Sequence, residues 1–258
     1  MVTIPDEDQA KALLVKMADT AANWIEWIGT PDGLLVGTGS ALQGDDAASQ
    51  QFSVSHALRT CIGAAVDHLH GLYALVLKTG FLHMNTPATV ARGALESAAT
   101  AIWIACPDTR DERVKRTLSW FFKDVKDGNS AATGAGIAVP TPLQDRIDKL
   151  ERVAADRGLP DKVKGYTSTE AVEAAKAHLG PEKMDILLMW RLCSGFAHGR
   201  SWPILGFASN ITTPIPGRPD LVGVKSENSF TRVLAMALTA HDAVQVALEL
   251  YQFRARGR

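Results

Sequence analysis

Apolar positions recur at helical spacing along most of the chain, and turn residues punctuate them. Between Glu7 and Ile28, the positions Leu13, Leu14, Met17, Ala21, Trp24 and Ile28 predict an amphipathic first helix. Gly29 to Asp46 is rich in glycine and adds Pro31, Thr38 and Ser40, so it is expected to be a loop. Phe52 to Lys78 is apolar on most sides and halts at Gly80, which predicts a central helix ended by a glycine. Thr86-Pro87 reads as cap and first-turn proline of a third helix to Cys106, which Pro107 stops. Asp108 then caps a fourth helix over Thr109 to Asp127, and a small-residue loop follows from Gly128 to Val139.

Thr141-Pro142 repeats the cap-and-proline pattern for a charged helix ending near Gly158. Thr167 with Glu170 makes a capping box for a shorter helix ending at Gly180, and both helices are expected to be peripheral. Pro181 opens a helix that Met184, Leu187, Leu188, Trp190 and Phe196 make apolar enough to be largely buried. Past Trp202-Pro203, Ile204 to Lys225 holds β-favouring pieces around Thr213-Pro214-Ile215-Pro216-Gly217, which predicts a long hairpin. A last helix from Asn228 to about Phe253 ends in Arg254, Arg256 and Arg258, cations that favour a helix C-terminus.

The pattern predicts an all-α helical bundle, one domain over residues 1–258, with a small β-hairpin insertion near 204–225. Its parts are an N-terminal helix and Gly-rich loop (1–50), core helices (52–127), peripheral helices (141–180), and the motif helix, hairpin and C-terminal helix (181–258).

Hydrophobic residues make up 46% of the 258 positions and charged residues 21%, the balance of a chain that folds around a core. A net charge of −1 supplies no global field for nucleic acid, so any RNA or DNA contact must be local. The acidic start Met1-Val2-Thr3-Ile4-Pro5-Asp6-Glu7-Asp8 lacks the basic segment and apolar run of an export signal. Lys78 and Glu96 interrupt the two strongest apolar stretches short of the roughly 20 residues of a membrane span. A cytoplasmic protein without membrane contact is therefore expected. Cys61, Cys106 and Cys193 are odd in number and sit in apolar helical patterns, so they read as free buried thiols, Cys193 as filler rather than nucleophile.

Chemistry concentrates in Trp190-Arg191-Leu192-Cys193-Ser194-Gly195-Phe196-Ala197-His198-Gly199. Seven residues are almost two helical turns, so Arg191 and His198 project from one face with Ser194 between them. A permanent cation beside a titratable imidazole suits phosphate chemistry: arginine offsets charge developing on phosphoryl oxygens while histidine moves a proton near neutral pH.

This segment, late in a helical chain and ending in His-Gly, resembles the arginine, four to six residues, histidine motif of the HEPN superfamily of helical domains. More loosely, Ala91 to Ala99 followed by Trp103, Arg113 and Arg116 resembles a core helix pair of actinobacterial proteins grouped near that superfamily. The resemblance implies a metal-independent endoribonuclease without cofactor, acting as a toxin or in defence, its cleft formed where two protomers of a homodimer meet. It implies Arg191 and His198 as the catalytic pair, attack by a ribose 2′-OH that leaves a cyclic phosphate, and an antitoxin or other regulatory protein as partner. Leu192 departs from the family pattern, whose position after the arginine is usually polar, and six intervening residues is its longest spacing. Several members of the family are silent binding or scaffolding domains.

Read as structure, Arg191 would pair with a carboxylate and His198 would close the helix before Gly199, in a non-enzymatic helical interaction or regulatory module. A small-molecule-binding bundle, with an enclosed cavity lined by Trp and Met, is a third class. An enzyme should bring the Arg191 and His198 side chains to solvent and near each other, and a module should bury both. Arg92 and Glu96, four apart and the only charges on their helix, can pair with each other, or Glu96 can reach Arg191 and orient the site. With Ser194 they are the supporting candidates.

His56, His68, His70, His83, His178 and His241 supply no His-Glu-x-x-His run, and no Cys-x-x-Cys exists, so no metal site is expected; Asp67 with His70 is the pair best spaced to support one. Gly37-Thr38-Gly39 lacks the lysine and helix start of a phosphate-cradling loop. Arg113, Arg116 and Lys123 fall at spacings of three and seven, a candidate RNA stripe on a mixed-charge helix whose Trp120, Phe121 and Phe122 are expected to face the core.

Overall fold

A computed structural model describes residues 5–159 and 162–257. In chain order its elements are α1 (Glu7–Ile28), α2 (Ala41–Ser49), α3 (Val54–Lys78), α4 (Thr86–Ala105), α5 (Arg110–Gly134), α6 (Leu143–Asp156), α7 (Ser168–Lys176), α8 (Ile186–Ala197), α9 (Ser201–Phe207), β1 (Ser209–Ile215), β2 (Arg218–Glu227) and α10 (Phe230–Ala255). The fold is the expected all-α bundle with one antiparallel hairpin.

The most apolar helices take the centre because burying them removes the most apolar surface from water. Helix α4 is the hub. Its small buried residues Ala88, Ala91, Ala94, Ala98 and Ala101 let α3 and α10 pack on it, with α7 and α8 as further neighbours. By length and composition alone α3 and α10 reach the threshold for a membrane span, which corrects the reading from Lys78: that lysine is the last residue of α3. In the fold 44% of the apolar stretch of α3 and 56% of that of α10 are buried.

Several boundaries move for physical reasons. The expected loop over Gly29 to Asp46 contains the start of α2, capped by Ser40, whose Oγ accepts from Gln43 N at 3.0 Å. Two tertiary contacts outweigh its poor helix formers. Leu42 enters the core, and Asp45 is fully buried on Arg113. Gly44 serves the same join, since a Cβ there would collide with the guanidinium of Arg110.

Helix α4 is preceded by Asn85 rather than capped by Thr86, and α5 is capped by Thr109, not Asp108. Helix α5 also runs through Gly128 to Gly134. Its stop is Gly136 at φ +68°, where Ile137 N donates to Ala132 O (2.9 Å) and Gly136 N to Thr133 O (3.1 Å), a glycine-based C-terminal closure. Helix α6 follows Pro142 with no side-chain cap.

Helix α7 is not peripheral: Ala171, Val172 and Ala175 are buried against α4, and it ends at Lys176 instead of Gly180. Pro181 does not open α8, which starts five residues later behind Asp185. The segment Ser201 to Phe207, partly assigned to the hairpin, is helical, so the strands begin only at Ser209. They pair from Ser209↔Glu227 to Pro214↔Val222 and lie almost wholly in solvent. Arg254 stands in the last turn of α10 as expected, and its guanidinium also donates to the carbonyls of Ala105 (3.3 Å), the last residue of α4, and of Pro107 (3.0 Å). Met1 to Ile4 and Arg258 lie outside the described residues.

Candidate functional site

Helix α8 is anchored at both ends, and this decides how its face is presented. At its start the Asp185 carboxylate accepts from the backbone N–H of Leu187 (2.9 Å) and Leu188 (3.2 Å) and from Lys176 Nζ (2.6 Å), which holds its carboxyl below the usual range, the lysine most of all. At its end Gly199 takes φ +62°; Gly199 N donates to Phe196 O (3.1 Å) and Arg200 N to Gly195 O (2.9 Å). That closure uses only backbone and a glycine.

Ile186, Met189, Leu192, Cys193 and Phe196 point into the core, leaving Leu188, Arg191 and His198 on the solvent face with Ser194 half-buried beside them. Burial pushes the Cys193 thiol up to about 12, with Arg92 pulling weakly the other way, so it stays protonated and unreactive at neutral pH.

Arg191 and His198 are both exposed. Among the described residues neither side chain takes part in an ion pair, and neither makes a side-chain hydrogen bond. Of the structural roles foreseen for them, Arg191 meets no carboxylate among the described residues, whereas His198 does close the helix before Gly199: it is the C-cap of α8, its backbone N–H donating to Ser194 O (3.0 Å) while the imidazole stays in solvent. Their α-carbons are about 10 Å apart along the axis.

The supporting residues fall elsewhere. Arg92 Nη2 meets Glu96 Oε2 at 3.1 Å, and Glu96 also accepts from Trp190 Nε1 (3.2 Å) and Ser168 Oγ. Glu96 therefore does not orient Arg191 directly, as one reading had it; it joins α4 to α7 and, through Trp190, to α8. The Nε of Arg92 and Nδ1 of His68 are buried without a partner, and His68 lies over Gly93, where a Cβ would collide with its ring. A shallow groove of about 410 Å³ runs here past Cys61, Ala64, Glu96, Trp120 and Tyr166; it is open, unlike the enclosed cavity of a small-molecule bundle.

The candidate RNA stripe on α5 does not form. Arg113 is buried on Asp45, Arg116 is held by Glu112 (3.0 Å) and Trp103 O (2.7 Å), and Lys123 by Asp127 (2.8 Å). Trp120, Phe121 and Phe122 pack against the core but stay partly exposed. Among the described residues no three His, Cys, Asp or Glu side chains gather as a metal site would require.

Sequence reasoning passed over Trp202. Its indole lies on Gly195, where a Cβ would sit 2.9 Å from Trp202 Cζ2 and from Pro203 Cγ. Gly195 is four residues after Arg191 and three before His198, so the ring rests on the same face as both. The available signal was that glycine in mid-helix, which marks close approach. Compared with protein-family models, curated proteins and solved structures, the chain matches none.

Proposed function

We propose that this protein is a metal-independent endoribonuclease of HEPN type, in a toxin or defence role, with Arg191 and His198 as its catalytic pair. The reading is carried by one observation: both side chains stand in solvent on one face of α8, and among the described residues neither pairs with another side chain. His198 takes the proton of a ribose 2′-OH as that oxygen bonds to phosphorus, and Arg191 balances the charge on the phosphoryl oxygens. The bond to the 5′-oxygen breaks, and that oxygen gains a proton from solvent. The products are a 2′,3′-cyclic phosphate and a 5′-hydroxyl. In this reading a second copy of the chain supplies the other wall of the cleft.

A second reading, a non-enzymatic module for a regulatory protein, draws on the exposed apolar side chains Leu188, Leu205 and Phe207 near the same face. End-group analysis separates the two. With chelator in excess, the purified protein is expected to cut RNA and leave cyclic phosphate ends. Intact RNA contradicts the ribonuclease and favours the module, and ends bearing a 3′-hydroxyl contradict attack by the ribose 2′-OH.

A further inference from the structure

The surface around Arg191 and His198 offers more than two polar groups. Trp202 is seated on the backbone of α8 at Gly195, yet 48% of it remains exposed, more than a core anchor keeps. Phe207 meets it edge to face, with ring centroids 6.3 Å apart and planes at 82°, and is itself exposed. Pro203 of the same helix is buried, and Arg232 of α10 donates to Phe207 O at 2.6 Å. Asn210 closes the far side by donating to the carbonyls of Ile204 (3.1 Å) and Leu205 (3.2 Å).

Charge says what kind of ligand suits it. From Ile186 to Gly217 the chain has no acidic residue, and its ionised or titratable polar side chains are Arg191, His198 and Arg200, all exposed. An exposed indole on a segment that carries cations and no anion is complementary to a nucleotide, whose base has a π-face and whose phosphate is negative. An apolar protein partner would use the aromatic corner and leave the cations unanswered.

We infer that Trp202 is the stacking platform for an unpaired nucleobase of single-stranded RNA, placing the adjoining phosphate at Arg191 and His198. This rests on the ribonuclease reading of the same face and adds a substrate class to it. Duplex RNA is a poor substrate because its bases are stacked on one another and cannot reach the indole.

The test uses a single-stranded 2′-deoxy oligonucleotide, which lacks the attacking hydroxyl, so that binding is measured apart from cleavage. Trp202→Ala is expected to weaken binding by about tenfold, the effect of losing one base–aromatic stack. Trp202→Phe, which keeps a ring, should stay within about threefold of wild type, and both variants should melt with it. Equal binding by Trp202→Ala and wild type overturns the platform, as does loss in both variants alike. Wild-type protein that does not bind the oligonucleotide overturns it too, and self-association lost in Trp202→Ala would then assign the corner to a second copy. Loss of binding in Trp202→Ala alone, beside wild-type protein that never cuts RNA, upholds the platform while the ribonuclease reading falls.

Discussion

Arg113 and Arg191 are both guanidinium groups on helices, and the fold treats them in opposite ways. Arg113 is buried with every nitrogen occupied: Nε and Nη2 meet the two oxygens of Asp45 at 2.6 and 2.8 Å, and Nη1 donates to the carbonyls of Pro107 (2.8 Å) and Asp108 (2.9 Å). Arg191 is left to water. A buried arginine must be answered because its desolvation is costly, and the answer here fastens α2 to α5. An exposed arginine that makes no ion pair among the described residues adds little to the fold, and on the proposed reading it is free to meet a ligand. The histidines repeat the contrast: His241 is packed at 4.6 Å on Trp24 with its Nε2 unpartnered, whereas His198 faces solvent.

The largest effect should come from the buried side of this comparison. Asp45→Ala strands Arg113 without its counter-charge, an expected loss of about 3–5 kcal/mol, seen in calorimetry as a melting temperature lower by about 10 °C. A change under 2 °C would mean water takes over the role of Asp45.

Next in size is Glu96→Ala, which leaves Trp190 Nε1, Ser168 Oγ and Arg92 without their acceptor. Urea unfolding should show a loss of about 1–3 kcal/mol, and Glu96→Gln, which keeps an acceptor, less than that. Equal losses for the two would place the contribution in the charge, not the hydrogen bonds.

A smaller effect belongs to His241. Burial lowers its pKa below 6.5, with Asp242 opposing and Lys183 adding to the shift. The folded state thus prefers the neutral ring, and the unfolded chain binds the proton first. Stability from this group is complete above pH 6.5 and is lost as the pH falls through the lower folded value. His241→Phe should flatten the decline in melting temperature between pH 7 and 5; an unchanged slope would assign that decline to other groups.

The same contrast explains what could be read from the sequence. Helices α1, α3, α4 and α10 were legible because their apolar periodicity serves a core that each contacts along its length. Helix α2 was not, since Gly44 and Asp45 spell a loop locally and make sense only once Arg110 and Arg113 lie across them. Gly128 looked like a stop, but a C-terminal closure needs a glycine at positive φ, and Gly136 holds that place. Arg191 and His198 were visible as a spaced pair on an apolar helix. Their exposure depended on where α8 begins and on which neighbours it meets. Trp202 was hidden because its meaning comes from folding back over Gly195 after the turn at Gly199.

The central claim is that the fold does without Arg191 and His198, and that the pair is kept for chemistry. Its most direct test is Arg191→Ala and His198→Ala, each measured for melting temperature and for RNA cleavage with excess chelator. The expected result is melting within about 2 °C of wild type and cleavage reduced at least about 100-fold. A large fall in melting temperature in either variant, or cleavage at the wild-type rate in both, would contradict it.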